Sequence, residues 1–202
     1  MKLKAVILAA GEGSRMRPLT YTRPKVMLPI ANRPILEHLL LVSSGAGVKE
    51  FIIVVGYRDD QIRDYFGDGQ KWGVDIKYAT QRRQLGTADA LRSVEGLIDG
   101  RFLLINGDNI FGQEDISKLA GGCENTLSVV EVADTSGLGV VEVKGDRVVL
   151  IQEKTEAPLS HLVNAGLYLF TPEIFETLAR TSKSPRGEYE PVSYTHLRAH
   201  ET

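Results

Sequence analysis

The chain has 202 residues, with 24 Lys and Arg against 26 Asp and Glu, a formal net charge of -2, 43% hydrophobic and 25% charged residues. That balance supports one sizeable globular core and excludes disorder or a collagen-like repeat as the main state. Without a basic excess the chain is not a non-specific nucleic-acid binder, so any polyanion site is local. The single cysteine, Cys123, excludes an internal disulfide and fits a reducing, cytoplasmic setting.

No segment has the apolar length of a membrane span. Met1 to Ala10 is a short apolar run that leads at once into the charged turn Gly11-Glu12-Gly13-Ser14-Arg15. It reads as a buried strand over Ala5 to Ala9, not as a signal peptide. Pro34 to Ser44 follows with Ile35, Leu36, Leu39 and Leu40 at helical spacing and Pro34 in the first turn. Phe51 to Val55 is a second continuous apolar strand. Asp59 to Phe66 reads as a helix stopped by Gly67, and Asp75 to Ala79 as a third strand. Thr87 to Val94 reads as a helix capped by Thr87, and Phe102 to Ile105 as a fourth strand running into Asn106-Gly107-Asp108. Such alternation predicts an α/β fold, a mostly parallel sheet with helices on both faces.

After about Asn125 the pattern changes. Leu127 to Val132, Gly139 to Val143, Val148 to Glu153 and Leu162 to Phe170 are strand-like, with Gly145-Asp146 as a hairpin turn. This half is expected to add antiparallel strands. Pro172 to Ala179 reads as a helix with Thr171 as N-cap and Pro172 at the first position. From Pro191 the composition shifts. His196 and His200 stand four apart there, but no acidic or cysteine partner accompanies them, so no zinc site is expected.

The strongest local feature is Leu8-Ala9-Ala10-Gly11-Glu12-Gly13-Ser14-Arg15-Met16-Arg17-Pro18-Leu19-Thr20, directly after a buried strand. Open α/β sheets bind ligands at the carboxyl ends of their strands, and glycines let backbone N–H groups approach phosphate. Met16 occupies the place of the third glycine of a dinucleotide fingerprint, and the Gly-Lys-Ser/Thr of a P-loop is missing. A nicotinamide dehydrogenase is further disfavoured because Val55 leads into Gly56-Tyr57-Arg58, with no acidic residue at that strand end. A bare Gly-x-Gly is weak, but Arg15, Arg17 and Lys25 add three cations to it, which reads as a polyphosphate clamp, with a solvated basic loop as the alternative. Two unit charges about 4 Å apart interact by roughly 4 kcal/mol at an effective dielectric near 20, enough to offset much of the repulsion between reacting phosphates. Asp108, at the end of another apolar strand, belongs to the same sheet edge. It is either a turn aspartate or a ligand for magnesium, which takes one or two carboxylates plus phosphates. Gln81 stands after a strand, where an amide can read a base edge, and Gly86-Thr87 opens a helix. By itself that segment reads as an ordinary helix start.

Together these pieces resemble the sugar-phosphate nucleotidyltransferase family, of the glucose-1-phosphate thymidylyltransferase and UDP-sugar pyrophosphorylase type. Gly11 to Thr20 and Pro24-Lys25-Val26-Met27-Leu28-Pro29 follow its signature nearly throughout. Gln81, Leu85-Gly86-Thr87-Ala88, Gly107-Asp108, Glu153-Lys154 and Asn164-Ala165-Gly166 come in the family's order, over roughly Met1 to Glu190. The resemblance implies a Rossmann-like fold and attack of a sugar 1-phosphate on the α-phosphorus of a nucleoside triphosphate, releasing pyrophosphate. Catalysis would rest on positioning and charge neutralisation, with Mg2+ as cofactor. By position, Leu8, Ala9, Ala10, Gly11 and Gly13 would cradle the nucleotide, and Gln81, Gly86 and Thr87 would read its pyrimidine. Arg15, Lys25 and Asp108 would be the catalytic set, with Asp108 on the metal. Gly139, Glu153 and Asn164 would contact the sugar, and Lys154 its phosphate. Without the ordered motifs, Glu153-Lys154 reads as a surface ion pair and Asn164 as a strand-end cap.

The resemblance sets UTP or dTTP and glucose 1-phosphate or an amino-sugar relative as substrates. A guanylyltransferase acting on mannose 1-phosphate and a non-catalytic nucleotide or sugar-phosphate binding module are the alternatives. Neither nucleic acid nor membrane is an expected partner, and family members often assemble as homo-oligomers. The family supplies a second metal-binding residue from a later segment and continues past the stretch that is here Gly187 to Glu190. The expectation is therefore a catalytic domain over 1–190, incomplete at its C-terminus, with 191–202 a foreign or disordered tail.

Overall fold

The computed structural model of the chain describes residues 2–83, 85–153, 160–180 and 198–201. β1 (Lys4–Ala9) leads through two 3-10 turns, Ser14–Met16 and Lys25–Met27, to a small hairpin of β2 (Pro29–Ile30) and β3 (Arg33–Pro34). Next come α1 (Ile35–Gly45), β4 (Glu50–Val55), α2 (Asp59–Phe66), β5 (Asp75–Thr80), α3 (Thr87–Arg92) and β6 (Phe102–Asn106). α4 (Gln113–Ala120), β7 (Thr126–Glu131), β8 (Gly139–Lys144), β9 (Arg147–Glu153), β10 (Leu162–Phe170), α5 (Ile174–Arg180) and β11 (Arg198–Glu201) complete the order.

Nine strands form one sheet in the order β5-β4-β1-β6-β10-β7-β11-β9-β8. The first four are mutually parallel. β10 turns the direction by pairing antiparallel to β6, and β7 pairs antiparallel to β10. The β8–β9 hairpin turns through Gly145 and Asp146, since Lys144 and Arg147 are register partners. The expected architecture, a parallel sheet covered by helices and extended by antiparallel strands, is the one observed.

The apolar runs explain the layering. In β1, Ala5, Ile7 and Ala9 face one side, and Val6 the other. β4 and β6 alternate in the same way. The first side packs on Leu36, Leu39 and Leu40 of α1, Ile62 and Phe66 of α2, and Ile116 and Leu119 of α4. The second packs on Ala88 and Leu91 of α3 and on Ile174 and Leu178 of α5. Strands buried on both faces need no polar alternation, which is why they read as continuous apolar text.

Several elements differ from the sequence reading. α4 is a helix that the text does not announce, because Ile116 and Leu119 are its only large apolar residues. The Asp115 carboxylate accepts the Gly112 N–H at 2.9 Å and fixes its start. Gly86, not Thr87, is the N-cap of α3, with φ 101, and the helix ends at Arg92 instead of Val94. α5 starts at Ile174, after a turn in which the Ile174 N–H donates to Thr171 O. Residues 198–201 form β11, which lies between β7 and β9, parallel to the first and antiparallel to the second. His200 therefore sits in a strand, not on a helix face. The rest of the stretch 191–202 lies outside the described residues. Among the described residues, no helix is long and apolar enough to cross a membrane.

Phe102 joins the two halves of the sheet. Its ring lies 6.0 Å from that of Phe170 on β10 and 5.9 Å from that of Phe175 on α5. It is fully buried, so Phe102→Ala should lower unfolding stability by about 3–5 kcal/mol. The urea midpoint should fall with an unchanged slope. A loss under about 1 kcal/mol would place the joint of the two halves elsewhere.

Candidate active site

Four parallel strands end at one edge, and the backbone there is tightly interlocked. The Gly107 N–H, just past β6, donates to Leu8 O at 3.0 Å. The Tyr57 N–H, past β4, donates to Ala10 O at 3.1 Å, and the Gln81 N–H, past β5, to Val55 O at 2.8 Å. A Cβ on Gly107 would stand well under 3.0 Å from Leu8 O, so only glycine fits there. At the end of β1, Ala9 and Ala10 are buried, and Leu8 is partly so.

Gly11 and Gly13 follow at the surface end of β1. Gly13 has φ 65, and a Cβ on it would meet Lys25 Cβ at 2.9 Å and Thr20 Cγ2 at 3.1 Å. Its absent side chain is what lets the Lys25 stem lie against the glycine turn. The Thr20 hydroxyl donates to Gly13 O at 2.8 Å and is itself buried, at 1% exposure. The Tyr57 hydroxyl donates toward Thr20 O at 3.1 Å and Tyr21 O at 3.0 Å. Thr20 and Tyr57 thus hold the turn in place. Neither is assigned a role from sequence: Thr20 only closes the glycine-rich motif and Tyr57 only follows β4, and neither position shows the backbone its hydroxyl would meet.

Lys25 and Asp108 are 83 residues apart, yet Lys25 Nζ lies 2.6 Å from Asp108 Oδ2. The pair is 31% and 38% exposed, so solvent screens it. Such a pair contributes about 0.2–1 kcal/mol, little enough to rearrange when a ligand brings its own charges. Arg15 is exposed on the first 3-10 turn and makes no ion pair among the described residues. Arg17 differs: it pairs with Glu12 and lies over the Tyr21 ring, so its charge is already compensated.

Gln81 is nearly buried, at 9% exposure. Its amide Nε2 donates to Gly86 O and to Asp89 Oδ2, each at 3.0 Å. Gln81, Gly86 and Thr87 therefore form one small unit beside the glycine turn, with Gly56 as the spacer: a Cβ on Gly56 would lie 2.9 Å from Ala10 O and 3.2 Å from Gln81 O.

The remaining candidates lie on the antiparallel half. Gly139 and Glu153 are register partners in the β8–β9 hairpin. Val140 pairs with Val163, which sets Asn164 beside them. Asn164 sits in a bulge of β10, where its Oδ1 accepts the Gly166 N–H at 2.9 Å and its Nδ2 donates to the Tyr168 hydroxyl at 2.6 Å. The bulge carbonyl Ala165 O accepts from Asn109 Nδ2 at 2.6 Å. This contact ties the Asn164 segment to the Asp108 loop. Lys154 lies outside the described residues.

Fold and site thus define an α/β protein with a glycine turn and a Lys–Asp pair at its strand ends, the place where open sheets of this kind bind ligands. Residues 4–199 match the profile of the family described as nucleotidyl transferase, and the chain belongs to that family. It is 38% identical over 191 residues to the bifunctional protein GlmU of Methanococcus maripaludis, covering 93% of this chain and 45% of that protein. It is 40% identical over 196 residues to the UTP–glucose-1-phosphate uridylyltransferase AglF of Haloferax volcanii, covering 93% of this chain and 80% of that one. A crystal structure of a Bacillus anthracis protein assigned as a glucose-1-phosphate thymidylyltransferase, in complex with sucrose, superposes with a TM-score of 0.88 at 27% identity. That likeness covers 99% of this chain and 87% of the other. The chain spans less than half the length of the GlmU relatives from Methanococcus maripaludis and Methanocaldococcus jannaschii, 45% of each.

The two glycines differ in a way that stability measurements can read. Gly107→Ala drives a Cβ into a backbone carbonyl and should cost about 1–3 kcal/mol. Gly11→Ala meets nothing within 4 Å and should stay within about 0.5 kcal/mol of the parent. Thermal unfolding of both variants tests the ranking, and equal midpoints would refute it.

Proposed function

We propose that the chain transfers a uridylyl or thymidylyl group from UTP or dTTP to a sugar 1-phosphate, glucose 1-phosphate or an amino-sugar relative. The products are a nucleoside-diphosphate sugar and pyrophosphate. The observation that carries this reading is the Lys25–Asp108 pair held against Gly13 at the common end of β1 and β6. It joins a cation for phosphates, a carboxylate for a divalent ion and a glycine turn for close backbone approach. The names of the uridylyltransferase and thymidylyltransferase relatives support the same chemistry.

In this mechanism an anionic oxygen of the sugar 1-phosphate attacks the α-phosphorus in line and pyrophosphate departs. The nucleophile arrives already ionised, so no side chain need remove a proton. Lys25 orients the two reacting phosphates and offsets their repulsion; Arg15, with no carboxylate partner among the described residues, holds the β- and γ-phosphates. Asp108 is the residue that would hold magnesium. Among the described residues, no cluster of three or more His, Cys, Asp and Glu side chains forms a metal cage. A single carboxylate fits magnesium, which takes much of its shell from substrate phosphates and water. When bound, the ion supplies charge neutralisation at the phosphates. Gly139, Glu153 and Asn164 take the sugar in this reading, and Lys154 its phosphate. A cytoplasmic setting belongs to it too, since an exposed lone thiol, Cys123, suits a reducing compartment.

Pyrophosphate release with magnesium, over a panel of nucleoside triphosphates and sugar 1-phosphates, tests the reaction. Release with no pair of substrates would overturn it. Lys25→Ala and Arg15→Ala should each lower kcat by about 10²–10³, the loss typical of a preorganised electrostatic group. Near-normal turnover in either variant would remove that residue from the mechanism. Asp108→Asn should raise the magnesium concentration for half-maximal rate by at least about tenfold, the loss that even outer-sphere partners produce. An unchanged magnesium titration would put the ion elsewhere.

A further inference from the structure

Asp89 lies in the first turn of α3, where an acidic residue is ordinarily explained by the helix dipole. Here its carboxylate does something more specific. Gln81 Nε2 stands 3.0 Å from Asp89 Oδ2 and 3.0 Å from Gly86 O. Both partners are acceptors with no proton to give. Were the carboxamide reversed, its oxygen would face two oxygens at hydrogen-bonding distance, and a nearly buried group would lose both bonds. The two contacts thus determine which end of the amide points where. The nitrogen is committed to the protein, and Oε1 is left as the atom that can meet a ligand.

Gln81 follows β5, two strands from β1 and the glycine turn. Two strand spacings are about 10 Å, a span that suits a nucleotide with its phosphates at the turn and its base at Gln81. We propose that Asp89 is a positioning residue for base selection. It locks the Gln81 carboxamide as an acceptor, so that the site takes a pyrimidine carrying an imide N–H, uracil or thymine, and disfavours cytosine, whose N3 is itself an acceptor. This rests on the nucleotide reading given above and adds the residue that sets its hydrogen-bond polarity. UTP and CTP have nearly the same size and charge, so their ratio isolates that polarity.

The test is calorimetric titration of the chain with UTP and with CTP in magnesium buffer, alongside Asp89→Asn. Asparagine keeps the shape of the side chain but can turn its NH2 toward Gln81, which accommodates the reversed amide. The unaltered protein should bind UTP about tenfold or more tightly over CTP, the cost of one buried mismatched pair. In Asp89→Asn that preference should shrink about fivefold or more, with the thermal midpoint moved by less than about 2 °C. Asp89→Ala, which removes the acceptor, is read in the same way and should also shrink the ratio. Equal binding of the two nucleotides by the unaltered protein overturns the proposal. So does a parallel loss of both affinities in the variants with the ratio preserved, since that is the mark of a merely structural aspartate. UTP preference without pyrophosphate release would sink the proposed reaction and leave the role of Asp89 standing. Binding of neither nucleotide would sink both.

Discussion

The constraint on which the candidate site depends is the approach of β6 to β1. Both strands are buried on both faces, and their register runs from Lys4 opposite Phe102 to Leu8 opposite Asn106. It ends with the Gly107 N–H on Leu8 O, where no side chain fits. Because the two strands stop together, the loop after each begins at the same height. The glycine turn and Asp108 are neighbours for that reason alone. The ion pair between Lys25 and Asp108 reports this geometry more than it creates it. At about a third exposed on each side, it is too weak to hold a fold together and weak enough to open for a ligand.

The cations of the glycine turn are not equivalent once placed. Arg17 is balanced by Glu12 and the Tyr21 ring, Lys25 by Asp108, and Arg15 faces solvent. Among the described residues Arg15 has no carboxylate partner, and in the proposed reading the Lys25 ammonium exchanges its part-exposed carboxylate for a phosphate. This difference rests on contacts across the turn that the local text does not specify.

The antiparallel half performs a different task. β10 pairs with β6 over Leu167 to Phe170, with β7 on both sides of the bulge between Asn164 and Tyr168, and with β8 at Val163. The bulge pushes Ala165 O onto Asn109, so the two halves of the sheet meet beside Asp108. A bulge leaves little trace in sequence, since residues out of register look like any strand residues. The segment nonetheless stood out as Asn164-Ala165-Gly166 because a family motif, not periodicity, marked it.

Much was determined by the sequence itself. The continuous apolar runs at Ala5 to Ala9, Phe51 to Val55 and Phe102 to Ile105 specify strands covered on both sides, and their alternation with amphipathic helices specifies a parallel block. In the proposed reading the glycines, cations and Asp108 mark the ligand edge, since glycine admits backbone to phosphate, cations balance its charge and a carboxylate holds magnesium. Tertiary structure decided the rest. α4 holds only two large apolar residues and becomes a helix by packing on the sheet. β11 is strand through pairing with partners some seventy and fifty residues away, β7 and β9. Thr20, Tyr57 and Asp89 act through contacts with distant or folded-back backbone and amides. Local text records which atoms a residue carries; only the closed sheet decides which of them come within 3 Å of each other.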